Sequence, residues 1–355
     1  MKQNLRHYFP IIKTRDEILN IINNDFFLKN TFSNWLPEQQ NEFLDFCSGA
    51  KGVKILYDSF LKEVFNPEYN PERLSDMISA ILGTKVKIIK ILPIDSTRLG
   101  NETSLIIMDI VAELEDGSII NVEVQKIGYM FPGERSACYS SDLLLRQYKR
   151  IRDKTRSSRF SYKLIKPVYT IVFFEQSPAC FEAFPDEFIH IFNQSSDTGL
   201  EMELLQKYVF IPLDIFRKKH NNIDTELDAW LTFLSSDDVS DIIQLIEKYP
   251  KFKPLYETMY NMCQNVEGVM SMFSKELYEL DRGTELLMVD ELQKEVNEKK
   301  AELAKLIQKI SENQKALDEN QKALGESQKA LDESQKALIE KDAIIASLEA
   351  QLKKN

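Results

Sequence analysis

The sequence predicts an α/β protein: a mixed-sheet core flanked by helices, an accessory helical region, and a long C-terminal coiled-coil helix. Three observations carry this. Residues 104–125, SLIIMDIVAELEDGSIINVEVQ, place alternating segments on either side of a Glu115-Asp116-Gly117 turn, the pattern of a β-hairpin. Helical apolar spacing precedes the hairpin, and PVYTIVFF at 167–174 reads as a buried strand completing the sheet. Leucine then recurs every seventh residue near the C-terminus. The expected divisions are a helical segment over 1–50, the core over 51–176, the accessory helical region over 177–282, and the coiled coil over 283–355.

Residues 1–50 are helical in pattern, with Phe26, Phe27, Phe32, Trp35, Phe43 and Phe46 as packing residues. A helix is expected over 53–65, then one over 73–82 ended by Gly83 as its C-cap. Residues 86–92 read as a strand leading into the hairpin. Residues 134–152 form a long helix, with Arg135 and Tyr139 four apart on one face. From 177 to about 280 the pattern is helical, over 228–234, 241–248 and 256–280, broken by Pro250 and Pro254. Met259, Met262, Met270 and Met272 fill gaps in its core.

In the second hairpin strand, Glu123 and Gln125 share one face while Val122 and Val124 take the other. Where Asp109 points depends on the turn. A two-residue turn at Asp116-Gly117 pairs it with Val124, on the wrong face. A three-residue loop with Gly117 in the left-handed conformation pairs it with Glu123. The second register is favoured because it gathers two carboxylates and an amide, a site for a hard cation such as Mg²⁺.

This D-x₁₃-E-x-Q arrangement resembles the PD-(D/E)XK nuclease fold. Within it, the arrangement is similar to the Rpn-type recombination-promoting nucleases, a branch also described as transposases, where Gln stands in the usual Lys place. Residues 58–65, DSFLKEVF, resemble the D-x-x-F-K-x-x-F opening of that family, with Leu61 in place of Phe. Phe131, Arg135 and Tyr139 in FPGERSACYSS resemble its F-x₃-R-x₃-Y helix. The resemblance covers roughly residues 51–176. It implies a restriction-endonuclease-like core and an endonuclease that hydrolyses DNA phosphodiester bonds with Mg²⁺, or Mn²⁺, held by Asp109 and Glu123. Gln125 would take the place of a lysine; an amide can orient water or bind phosphate but cannot act as a base. A further acid is expected from the first core helix, with Glu63 chosen and Asp58 the alternative.

Arg135 and Tyr139 either line the substrate groove, Arg135 meeting a phosphate, or are structural, Arg135 pairing with a nearby carboxylate while Tyr139 packs. A basic run comes next: Arg146, Lys149, Arg150, Arg152, Lys154, Arg156, Arg159, Lys163 and Lys166, with Asp153 the one acid and Tyr148, Phe160 and Tyr162 interleaved. It suggests contact with a nucleic-acid backbone, and Arg146, Lys149, Arg150, Arg152, Arg156 and Arg159 join Arg135 and Tyr139 as expected DNA-binding residues. A solvated, charge-rich loop is the bland alternative.

Composition bounds the rest. With 355 residues and 43% hydrophobic content the chain can bury a sizeable core, and a net charge of −11 argues against indiscriminate coating of nucleic acid. Four scattered cysteines and three scattered histidines make a zinc site unexpected, and the cysteines read as reduced, buried residues of a cytoplasmic protein. No secretory leader or membrane span is expected.

In the tail, NQKALDE, NQKALGE, SQKALDE and SQKALIE are four nearly identical heptads. Leu317, Leu324, Leu331 and Leu338 are in register with Leu303, Ile310, Ile345 and Leu352, and a homo-oligomer is expected. With the leucines at d, the a positions are Gln314, Gln321, Gln328 and Gln335, a half-polar seam. Two alternatives to the endonuclease stand: a catalytically weak or inactive module that binds DNA or a partner and is assembled by the coiled coil, and a pure interaction protein. The chain has no second acidic triad of the RNase H-like type and no identifiable helix-turn-helix, so cleavage is expected rather than strand transfer.

Overall fold

Thr14 and Glu17 start the first helix, α1 (Arg15–Asn24), by capping each other: the Glu17 N–H donates to Thr14 Oγ1 at 3.2 Å and the Thr14 N–H to Glu17 Oε2 at 2.7 Å. Asp25 caps α2 (Phe26–Asn34), and Pro37 opens α3 (Pro37–Cys47). These helices pack into the same core as distant parts of the chain. Trp35, Phe43 and Phe46 lie 5.0–5.8 Å, ring to ring, from Phe273. Phe26 and Phe27, expected to pack, are 80% and 79% exposed instead, at the solvent-facing first turn of α2.

A computed structural model describes residues 4–66, 70–92, 110–127, 132–155, 160–219 and 222–352. The core helices are α4 (Asp58–Val64) and α5 (Pro71–Leu82), the latter ended by Gly83 at φ +65°. The first is shorter than expected. Gly52 approaches the backbone of Asp237, to whose carbonyl its N–H donates at 2.7 Å, and a Cβ there would meet Ile242. Val53, Ile55, Leu56 and Tyr57 are therefore buried by an irregular segment rather than by a helix.

The strands are β1 (Ile88–Ile91), β2 (Ile110–Leu114) and β3 (Ile119–Gln125). After α6 (Pro132–Lys154) come β4 (Val168–Phe174), β5 (His190–Phe192) and β6 (Gln206–Pro212). They form one sheet in the order β1-β2-β3-β4-β6-β5, with β3, β4 and β6 parallel and the other pairs antiparallel. The sheet is thus not completed at Phe174, and 177–282 is not wholly helical. QKYVFIP alternates Val209 and Ile211 with Tyr208 and Phe210, so both faces of β6 are apolar and a short buried strand results.

The two faces differ. Ile120, Val122, Ile171, Phe173, Val209 and Ile211 point into the main core, shared with α4, α5 and the later helices. These are α7 (Leu213–Lys219), α8 (Glu226–Ser235), α9 (Val239–Lys248) and α10 (Lys253–Met262), then α11 (Val266–Leu352). Met259, Met270 and Met272 are buried there, as expected. The other face carries two small apolar patches, one beneath Tyr139 and Leu143 of α6 and one around Phe174, Phe181 and Phe210. The expected helix over 256–280 is two helices, because Asn265 interrupts it and caps α11, its Oδ1 accepting the Gly268 N–H at 3.0 Å.

The chain divides into two compact units, Met1–Met288 and Val289–Asn355. In the second, α11 carries the heptads as one helix whose Leu317, Leu324, Leu331 and Leu338 are 50–70% exposed. The four cysteines are free; Cys47 and Cys263 are buried, whereas Cys138 and Cys180 are exposed, contrary to expectation. Among the described residues no helix is long and apolar enough to cross a membrane.

Candidate active site

The hairpin turn sets the register of everything on β3. Gly117 takes φ +87°, its N–H donates to the Leu114 carbonyl at 2.9 Å, and the Leu114 N–H donates to the Ser118 carbonyl at 2.8 Å. This is a three-residue loop with a left-handed glycine. It pairs Ile110 with Val122, Val111 with Asn121 and Ala112 with Ile120. Asp109 lies outside the described residues.

Between the two apolar patches on the α6 side of the sheet runs a stripe of buried polar groups. Asn121, Glu123 and Gln125 from β3, and Thr170 from β4 opposite Asn121, are each at most 4% exposed. Among the described residues, the Asn121 and Gln125 amides and the Thr170 hydroxyl have no hydrogen-bond partner. Each such group costs on the order of 1–3 kcal/mol when left unsatisfied, so a stripe of them marks a place built for something other than packing. Asn121 and Thr170 were not flagged by the sequence. In the sequence they look like ordinary outward-facing polar residues of a strand, and only the near-complete burial of β3 and β4 reveals theirs.

The stripe ends in a cleft of about 340 Å³. Gln125 and Val124 form its floor, Asp58 and Lys62 of α4 one wall, Lys275, Glu279 and Arg282 of α11 another, and Arg135 of α6 stands at its edge beside Lys126. Five cations thus face two carboxylates. Glu123 lies two residues back along β3, about 7 Å deeper. Asp58 pairs with Lys62 at 2.7 Å and, more loosely, with Lys275 at 3.9 Å. Glu63 is half-buried on the same helix but is not among the cleft residues; five residues on, it is turned by about 140° from Asp58.

Tyr139 is buried against Val111, Ile119 and Leu143, and its hydroxyl accepts from Arg135 Nε at 2.7 Å. Tyr139 thus packs rather than lining the cleft, whereas Arg135 is among the cleft residues. The basic run does not join them. α6 runs antiparallel to β3, and Arg150 stands about 22 Å along the helix from Arg135, at the other end of the sheet. There Arg150 pairs with Glu113 at 2.8 Å and Arg146 with Asp142 at 2.7 Å. Lys149 and Arg152 are exposed, Arg152 against the rings of Tyr148 and Phe160. Phe131, Arg156 and Arg159 lie outside the described residues.

Around Lys126 sits a partly buried ionic network. Lys126 is bonded to Glu276 of α11 and stands 5.6 Å from the ring of Tyr57. Tyr57 in turn donates to Glu42 at 3.1 Å, and Lys54 donates to the same oxygen at 2.6 Å. Burial, then the Glu42 carboxylate, pushes the Tyr57 phenol far above its usual range. Glu175 follows β4, its N–H donating to the Gln125 carbonyl at 2.9 Å. Burial raises its carboxyl above the usual value of 4.5; Lys54, Lys126 and Arg217 oppose the rise and Glu276 adds to it.

Glu123 and the orphaned Gln125 carbonyl oxygen are hard oxygen donors of the kind Mg²⁺ takes, so this end of β3 fits part of such a ligand set. Among the described residues no three His, Cys, Asp or Glu side chains gather into a metal-holding group. A search of curated proteins and of solved structures finds no match to this chain. The sequence profile described as PD-(D/E)XK nuclease family transposase matches residues 56–288, about two thirds of the chain, from the edge of α4 to the first turns of α11. The match thus extends past the hairpin through all six strands and into the wall that α11 lends the cleft, and the chain belongs to the PD-(D/E)XK nuclease family transposases.

Proposed function

We propose that the protein is a metal-dependent DNA endonuclease that hydrolyses phosphodiester bonds at the mouth of the polar stripe. One observation carries the reading: buried Glu123 and the unpartnered Gln125 amide lead into a cleft lined by five cations. Phosphate charge is what such a cleft attracts. Glu123, Gln125 and Asp109 would hold Mg²⁺ or Mn²⁺, and Asp58, facing the cleft, is a better placed additional acid than Glu63. The metal, when bound, supplies Lewis-acid polarisation of a phosphoryl oxygen. Lys62, Arg135, Lys275 and Arg282 would take the phosphates flanking the scissile one, and Lys149 and Arg152 the duplex further along. In the reaction a water oxygen bonds to phosphorus and gives its proton to solvent or a neighbouring carboxylate, while the P–O bond to the leaving nucleotide breaks and the leaving oxygen takes a proton from solvent. The heptads would assemble copies of the chain.

A second reading is favoured by Gln125 itself. A neutral amide at this position cannot bear charge or accept a proton, so the same cleft could serve a module that binds DNA, or a partner, without cleaving. Supercoiled plasmid incubated with the protein and Mg²⁺ separates the two. Nicking or linearisation that disappears with EDTA and in an Asp109→Ala, Glu123→Ala double variant is expected. Plasmid left intact by folded protein, yet retarded in a gel, supports the binding module instead.

A further inference from the structure

Glu276 is 2% exposed and lies in α11, 150 residues beyond Lys126 and 218 beyond Asp58. Its two oxygens are divided between them. Oε1 accepts the backbone N–H of Asp58, the first residue of α4, at 2.7 Å. Oε2 is bonded to the Lys126 ammonium. Both partners line the cleft. A carboxylate taken out of water is costly unless fully paired, and here both bonds go to residues beside the orphaned Gln125. Nothing in the packing of α11 requires an acid at this point, since its buried neighbours Met272 and Phe273 are apolar.

We propose that Glu276 is the positioning residue of the cleft: it sets the start of α4, and with it Asp58, against Lys126, so that α11 is part of the site. This rests on the endonuclease reading for its catalytic consequence but not for its geometry. Asp58 turns toward the cleft only if the first turn of α4 is held, and the Glu276 oxygen satisfies an N–H that this uncapped helix start would otherwise leave open. The second oxygen holds the Lys126 ammonium at the cleft. The Tyr57 ring faces Lys126, and Glu175 is a further acid near it.

Two measurements on the full-length protein test this. In the first, lysines are acetylated with N-hydroxysuccinimide acetate and the rate at each is read by mass spectrometry, with exposed Lys149 as internal reference. Glu276→Gln keeps an acceptor for the Asp58 N–H but withdraws the charge from Lys126. Its Lys126 is expected to react about tenfold faster than in the wild type, the effect of losing one strong carboxylate partner. An unchanged Lys126 rate in folded Glu276→Gln overturns the proposal. In the second, Glu276→Gln is expected to lower kcat for duplex cleavage about tenfold while KM moves less than about twofold, the pattern of lost alignment. An unchanged kcat beside a faster Lys126 also overturns it, since the pair would then be structural. If the wild type cleaves nothing with Mg²⁺ or Mn²⁺, the endonuclease reading fails and the acetylation rates alone decide the positioning role. Should Glu276→Gln not fold, Glu276→Asp, which keeps the charge but draws it back, must raise the Lys126 rate; a wild-type rate there overturns the proposal equally.

Discussion

Glu175 stores a pH dependence. Its native carboxyl titrates above the unfolded value of 4.5, chiefly through burial, so the folded state binds its proton more tightly than the unfolded chain does. The stability this contributes is present below pH 4.5 and is lost as pH rises through the higher native value. Glu175→Gln removes the ionisation, so its melting temperature is expected to gain on the wild type as pH is raised across that window. A constant difference between the two melting curves would show that Glu175 is not the titrating group. Such effects are invisible in sequence, where Glu175 is one acid among many. Glu123 and Gln125 are the opposite case, because strict alternation with Val122 and Val124 puts them on one face whatever the fold around them. Choosing between Asp58 and Glu63 needed more than alternation. Both lie on a short helix, and what separates them is that Asp58 lines the cleft and its N–H is held by Glu276, 218 residues further along the chain.

α6 separates what its sequence runs together. Arg135 and the basic run are near neighbours in the chain, yet a straight helix carries them to opposite ends of the sheet. Within the run, Arg146 and Arg150 already hold Asp142 and Glu113, while Lys149 and Arg152 face solvent. Lys149→Ala with Arg152→Ala is therefore expected to weaken duplex binding and to reduce the salt slope of log K by about 0.9 for each phosphate no longer neutralised. Arg150→Ala should affect binding less and instead lower stability by up to about 1 kcal/mol, read from urea unfolding. Equal losses of affinity from both would mean that the Glu113 pair opens to admit DNA. The hairpin was the most legible element, since Gly117 permits the left-handed turn that sets the register of β2 on β3. β6 was the least legible. It is separated from β4 by the polar stretch before Gln206, its pairing with β4 is parallel, and such contacts leave no local turn signal.

The heptads pose the question of assembly, because α11 carries them as a single helix in the second of the two units. Two features let that helix exist without a partner. Gln314 donates to Asp318 at 3.1 Å and Gln328 to Asp332 at 3.4 Å, four residues apart, each such pair worth about 0.2–0.5 kcal/mol. Gln321 and Gln335 have Gly325 and Ile339 at the corresponding place and lack the bond, and the glycine makes the second repeat the weakest. Against this, Leu317, Leu324, Leu331 and Leu338 lie on one stripe, half or more of each open to water. Burying a leucine is worth about 1.5–3 kcal/mol, while a glutamine at a brings no comparable gain. A weak, concentration-dependent homo-oligomer is the expected result. Light scattering of the full-length protein should show a mass that rises with concentration, and the Leu317→Ala, Leu324→Ala, Leu331→Ala triple variant should remain monomeric throughout. Replacing Gln314, Gln321, Gln328 and Gln335 by Ile should tighten association by filling the polar half of the seam. If those substitutions leave the mass unchanged, the glutamine stripe is not the seam, and the leucines pack on some other surface.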